Sequence, residues 1–289
     1  MASTQALKTR IRSVKNTKQI TKAMQLVAAS KMRRAQDATK ASAPYTKSAS
    51  ELLTYLASQG VTDNHPLFTA RPIKSRLLIV ISADKGLAGA YNSNVMKAYT
   101  AERRDDEADQ IANKTIAIGR KAAQFVTRLK DTDVIGVYED MQDHAHGREF
   151  HAILDTAREQ FETGAVDAVD VVYTEFVSSL SQVARVQRVL PAGFIKTTVS
   201  DEVREASYEP SLEAVLDGVT YRLVGAQIFQ AMLDARASEH SMRMIAMKNA
   251  TDNASDLADD LTLEMNKARQ GAITQELAEI SGGVEALSD

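Results

Sequence analysis

The chain has 289 residues, of which 44% are hydrophobic and 25% charged, the balance of a folded protein with room for about two domains. Cysteine is absent, which excludes disulfides, thiolate metal sites and a cysteine nucleophile, and no run approaches the ~20 apolar residues that span a bilayer. The net charge of −3 hides an asymmetry: residues 1–40 hold ten Lys or Arg against one acid, Asp37, whereas from Glu239 onward ten acids face four Lys or Arg.

Residues 3–58 read as one long amphipathic helix. Leu7, Ile11, Val14, Thr17, Thr21, Met24, Val27 or Ala28, Met32, Ala35, Leu52 and Leu56 keep the three-and-four spacing of a coiled-coil seam. Pro44 should kink or briefly break it. The run stops at Gly60, and a polar stretch with Pro66 and Pro72 reads as a linker. This defines an N-terminal coiled-coil segment over 1–60. The basic, acid-poor start looks superficially like a mitochondrial presequence, but the pattern continues to about Leu56 without a cleavage-like boundary and is read as mature structure.

A central domain over 75–200 alternates strand-length apolar runs (76–82, 114–119, 133–138, 167–177) with helical stretches near 93–108, 120–130 and 147–163. Such alternation implies crossover units and a sheet covered by helices, a Rossmann-like α/β arrangement. The run 182–191 alternates apolar and polar residues and reads as an edge strand with one wet face.

From 209 to 289 a third segment has no proline after Pro210, which is placed at the helix start. Leu212, Leu216, Val219, Leu223, Met232, Met242, Ile245, Leu257, Leu261, Met265, Ile273, Leu277, Ile280, Val284 and Leu287 recur at helical spacing. A helix of nearly eighty residues is ~115 Å long, more than a compact domain needs. The two terminal helices each carry an apolar stripe that must be covered, and because both spring from the central domain they can meet only as an antiparallel coiled coil. Basic start and acidic finish then lie side by side. The last helix exceeds the first by about twenty residues, or ~30 Å, and this surplus still carries Ile273, Leu277, Ile280, Val284 and Leu287. Protein from outside the chain is expected to surround it.

Three stretches resemble the gamma subunit family of F-type ATP synthases: IRSVKNTKQITKAMQLVAASKMRRAQ (11–36), ISADKGLAGAYNSN (81–94) and MRMIAMKNATDNASDLADDLTLEMNKARQGAITQELAEISGG (242–283). The resemblance implies a rotating central stalk. Its terminal helices stand inside a ring of alternating alpha and beta subunits, and its central domain sits against the epsilon subunit and the membrane-embedded c-ring, with one copy per complex. Proton flow through the c-ring turns the shaft, while the chemistry stays in the beta subunits, so this chain is a non-catalytic subunit with no cofactor or metal of its own. It further implies indirect attachment, through the c-ring, to the cytoplasmic face of a bacterial plasma membrane. By position in the motifs, Met24 and Arg243 lie near one another at the neck of the coil. Arg269, Gln270, Thr274 and Glu276 face the beta subunits, Lys31, Arg33 and Arg34 form a basic cluster suited to acidic beta-subunit loops, and Ile273, Leu277, Ile280 and Val284 form the tip bearing.

Other readings of single features are blander. The basic first helix could serve a coiled-coil scaffold protein as a nucleic-acid-binding surface, but it lacks a groove-reading motif and an aromatic platform. The loop SADKGLAGAYN follows a strand and carries Gly86 and Gly89, yet is neither a Walker sequence nor a GxGxxG fingerprint. His144, His146, Glu149 and His151 read as a surface cluster rather than metal ligands.

Overall fold

The computed structural model describes residues 4–63, 65–141, 147–193 and 196–288, with 42–47, 279 and 282–288 described by backbone alone. The chain divides into two compact units, Met1–Ala28 with Arg243–Asp289, and Ala29–Met242. The long helices α1 (Thr4–Ser58) and α6 (Leu212–Ser288) each contribute to both.

The larger unit is built on a sheet of β1 (Ser75–Ile81), β2 (Ala112–Ile118), β3 (Asp133–Tyr138), β4 (Ala168–Phe176) and β5 (Gln182–Leu190) in the order β3-β2-β1-β4-β5. The first four strands pair in parallel and β5 closes one edge antiparallel to β4. Three helices make the crossovers, α2 (Tyr91–Ala108), α3 (Arg120–Val126) and α4 (Arg148–Glu162). A parallel strand covered on both faces needs apolar side chains in both registers, and β1 reads RLLIVI for that reason. Its even positions Leu78 and Val80 pack with Val95, Met96, Tyr99 and Val126 of α2 and α3. Leu77, Ile79 and Ile81 pack on the opposite face with Ile153 and Phe161 of α4 and Ile228, Ala231 and Met232 of α6.

Charge is also buried in this unit. Arg76 on β1 reaches Glu102 at 2.6 Å, Asp106 at 2.7 Å and Asp170 at 3.3 Å, and Arg188 on β5 pairs with Asp170 through both of its carboxylate oxygens. The cluster ties α2, β1, β4 and β5 together. Burial raises the Asp106 carboxyl above its ordinary range, against the opposing pull of Arg76.

Several sequence expectations are corrected in detail. α1 continues as helix through Pro44 instead of breaking there. The stretch after Gly60 is no loose linker: Pro66–Phe68 forms a 3-10 turn, Leu67 is buried in the main core, and its carbonyl accepts from Ala192 N at 2.6 Å. Arg71 donates to the Phe161 and Val166 carbonyls, both at 2.7 Å, and Asp167 accepts from Lys74 N and Ser75 N. Those backbone donors hold the Asp167 carboxyl below the usual range. Pro210 stands outside α6; Ser211 is the cap, its side chain accepting from Ala214 N at 3.2 Å. A short helix α5, Asp201–Glu205, has no buried residue and left no apolar pattern to read.

Where α1 and α6 meet inside this unit, Leu53, Leu56, Leu216 and Leu223 form a separate apolar cluster, with Leu52, Leu212 and Val219 at its margin. Leu53, rather than Leu52, is the fully buried seam residue.

Candidate functional site

The smaller unit is an antiparallel helix pair. Leu7, Ile11 and Leu261 form its buried cluster, joined by Val14, Met265 and Ala268. Further along, Lys18 Nζ donates to Ser255 Oγ at 2.8 Å, and the Thr21 and Thr251 hydroxyls meet at 2.8 Å. Partners advance along α1 as they recede along α6, which is the antiparallel register the sequence implied. The seam drifts, however. Thr17 and Val27 are exposed and Ala28 is buried; on α6 Leu257 is exposed while Ala254 and Ala258 are buried. An undistorted helix turns ~20° per heptad away from a strict 3.5-residue repeat, so a seam read at fixed spacing moves off the true one within two heptads.

The threonine pair is a small polar lock in this seam. Each hydroxyl also reaches a carbonyl of its own helix, Thr251 that of Met247 at 2.7 Å and Thr21 that of Lys18 at 3.1 Å, so one threonine donates across the seam while the other donates to its own helix. Thr21→Val or Thr251→Val alone should each cost about 1 kcal/mol, because each removes the one bond across the seam, whereas the double Val variant should cost no more than either single change. A double-mutant cycle by urea unfolding checks this; additive single losses would mean that the hydroxyls act independently.

Past Ala268, the last α6 residue packed against α1, the helix runs on to Ser288 for about twenty residues or ~30 Å. Arg269, Gln270, Thr274 and Glu276 are all exposed, with the Thr274 hydroxyl donating back to the Gln270 carbonyl at 2.9 Å. Ile273, Leu277 and Ile280, spaced to share one face, are 49%, 62% and 65% exposed. Val284 lies in the helix, but its side chain is outside the described residues.

Met24 and Arg243 are both half-buried members of this unit. The register fixed by Thr21 and Thr251 places them about one and a half turns apart along the pair. Lys31, Arg33 and Arg34 belong to the larger unit and present exposed side chains. Sequence reading passed over Ile20 and Leu26, 60% and 61% exposed on α1 beside Val27 at 58%, and Leu263 on α6 at 56%. The signal was available: these apolar residues fall outside the seam stripe, and an apolar residue off the stripe of a two-helix coil has no partner within the pair.

In a doubly wound sheet a ligand is expected at the carboxyl ends of the strands where the order reverses, here between β1 and β4. In this chain that crevice is filled from within. The loop ISADKGLAGAYNSN crosses it, and its polar atoms are spent on α3 and its neighbours: Ser82 Oγ accepts from Ala122 N at 2.6 Å, Asp84 Oδ1 accepts from Arg120 N and Asp140 N at 2.9 and 3.0 Å, and the Ala83 carbonyl accepts from Lys121 N at 3.1 Å. The first three amides of α3, the helix that follows β2, are therefore taken by this loop. On the other side, Met242 of α6 packs against Ala83, Ala88 and Tyr91. Ser241 Oγ donates to the Ser179 carbonyl at 2.8 Å, and Ser238 Oγ to that of Thr174 at 3.1 Å. Gly86 and Gly89 thus serve a packed loop, Gly89 with φ +55°.

Among the described residues no group of three His, Cys, Asp or Glu could hold a metal ion. His144 and His146 lie outside the described residues; Glu149 and His151 start α4. No described helix is long and apolar enough to cross a membrane.

The crevice of the sheet is thus occupied by the chain's own loop and helix, and α6 carries an exposed apolar stripe past its last contact with α1. Comparisons with known proteins give the family. The family described as ATP synthase matches residues 3–287. An ATP synthase gamma chain of Macrococcus caseolyticus is 40% identical over 290 residues, covering 99% of this chain and 100% of that one. Among solved structures, the central stalk and c-ring of the Tetrahymena thermophila mitochondrial ATP synthase gives a TM-score of 0.57 at 25% identity, over 80% of this chain and 99% of that chain. A chain of the Euglena gracilis mitochondrial ATP synthase shares the fold with a TM-score of 0.69 at 19% identity, over 98% and 94%. The chain belongs to the ATP synthase gamma-chain family.

Proposed function

We propose that this chain is the rotating central stalk of a proton-translocating ATP synthase, coupling proton flow through a c-ring to ATP synthesis or hydrolysis at the beta-subunit sites, and that it carries no catalysis itself. The observation that supports it most directly is the tip of α6, where Ile273, Leu277 and Ile280 stand about half or more exposed past the last contact with α1. Covering such side chains contributes on the order of 1–2 kcal/mol each, so a sleeve of alpha and beta subunits around the tip is favoured by the same term that folds the chain. A smooth aliphatic stripe suits a bearing because it gains from burial without fixing one angle: the hydrophobic term is non-directional.

The polar residues then have distinct roles. Arg269, Gln270, Thr274 and Glu276 make and break bonds with the surrounding ring, Lys31, Arg33 and Arg34 meet acidic loops of the beta subunits, and Met24 and Arg243 occupy the neck. The larger unit faces the epsilon subunit and the c-ring, which puts the chain at the cytoplasmic face of a bacterial plasma membrane, attached through the c-ring alone. The self-filled crevice between β1 and β4 supports leaving nucleotide chemistry to the beta subunits. Co-expression with alpha and beta subunits, followed by native mass spectrometry, should find one copy of this chain for three of each. A chain that self-associates and ignores both partners would instead support a coiled-coil scaffold.

A further inference from the structure

The connector from Leu190 to Leu212 is far longer than the ~2–6 residues usual between a strand and a helix. Residues 196–211 of it, α5 included, bury no side chain. They are nonetheless tied to α1, at three points. The Thr54 hydroxyl donates to the Ser50 carbonyl at 2.7 Å, which leaves its oxygen to accept from Thr197 N at 3.2 Å. Glu51 Oε1 accepts from Ser200 N at 2.6 Å. The Tyr208 ring stacks on Tyr55 with centroids 5.5 Å apart, and the Tyr208 hydroxyl donates to the Val203 carbonyl. Glu51, Thr54 and Tyr55 stand three and four residues apart and so share one face of α1. The opposite side of the same turns carries Leu53 and Leu56, fully buried in the cluster with Leu216 and Leu223 of α6. One side of α1 is seated on α6, and the other is covered by the connector.

We propose that residues 196–211 are a releasable strap, a lid over the Glu51, Thr54 and Tyr55 face of α1 that opens and closes without unseating α1 from α6. The two sides of α1 are held by different forces. The seat on α6 is apolar and buried, and separating it would expose Leu53 and Leu56 to water. The strap is tied by two hydrogen bonds and one ring stack among half-buried groups, where water takes the place of a lost partner at little net cost. A segment with no buried side chain and few contacts belongs to the low-stability end of a fold and opens locally, ahead of the core. On the stalk reading, the α1 contact that carries torque stays intact while the neighbouring face of the same helix passes between covered and bare.

Hydrogen exchange of the full-length chain, read by mass spectrometry at urea concentrations below the unfolding transition, tests the strap whether or not the chain rotates. Peptides covering 197–205 should exchange at a rate nearly independent of urea, because a local opening exposes little surface, while peptides of β1 and β4 speed up with it. Glu51→Ala should speed exchange at 197–205 about three- to tenfold and leave β1 and β4 at the parent rate. Glu51→Gln keeps an acceptor in place and should restore most of the protection. Tyr208→Ser, which removes the ring stack, should act in the same direction even if Glu51→Ala proves unstable. Exchange at 197–205 that follows the urea dependence of the sheet would overturn the proposal, and so would variants that speed sheet and strap alike.

Discussion

Deleting residues 274–289 should leave the isolated chain folded with its thermal midpoint within about 2 °C of the parent, while ATP-driven proton pumping by the assembled enzyme falls by half or more. The two expectations come from one fact. Every described side chain of α6 beyond Ala268 is exposed, so removing the tip takes little buried surface from the monomer. In the assembly the same residues are the surface that a sleeve would grip. The deletion strips Leu277 and Ile280 from the stripe, forfeiting on the order of 1–2 kcal/mol each of bearing contact. It also removes Thr274 and Glu276. ATP turnover without matching proton transport, measured in inverted vesicles by quenching of a pH-sensitive dye, is the predicted signature. Pumping at the parent level would show that the tip is not gripped during coupling. A large drop in the monomer's midpoint would show instead that the tip folds back on the chain.

Much of this was legible from residue order alone because both long helices obey simple periodicity. The last α6 residue seated against α1, Ala268, leaves the overhang that the difference in helix lengths implied. The strands were legible too: 133–138 was read with the bounds that β3 has, and the other four to within about two residues, since continuous apolar runs such as LLIVI have few alternatives in a covered sheet. What periodicity could not give was which of two adjacent residues turns inward. Val27 or Ala28 was undecidable until the helix pair set the spacing, and the small residue won because a close seam favours it. Leu67 was hidden in a stretch rich in proline and polar residues, where one buried side chain has no pattern around it. The function of the 81–94 loop was hidden for a different reason. Its serine, aspartate and glycines have the composition of a phosphate cradle, and only the three-dimensional pairing shows that its oxygens accept from the amides of Arg120, Lys121 and Ala122.

The second large effect should come from Gly119→Ala, which is expected to lower stability by about 3–5 kcal/mol and the thermal midpoint of the larger unit by roughly 10 °C. Gly119 is the turn between β2 and α3 and has φ +91°, a region that costs a residue with a Cβ on the order of 1 kcal/mol or more before any contact is considered. The contact is worse. An added Cβ would stand 2.2 Å from the Ser82 carbonyl oxygen and 2.8 Å from its carbon, and these are backbone atoms that cannot swing aside. Ser82 is itself fixed, with its amide donating to the Ile118 carbonyl at 2.9 Å and its hydroxyl accepting from Ala122 N. Moving it would unseat the loop that closes the crevice between β1 and β4. Gly86→Ala is the matched control in the same loop, because its Cβ would meet nothing within 4 Å and its backbone is ordinary; that variant should stay within about 0.5 kcal/mol of the parent. Urea unfolding of both variants decides the matter. Equal midpoints would mean that the loop and α3 separate easily, and then the claim that this crevice is sealed by the chain itself fails with the prediction.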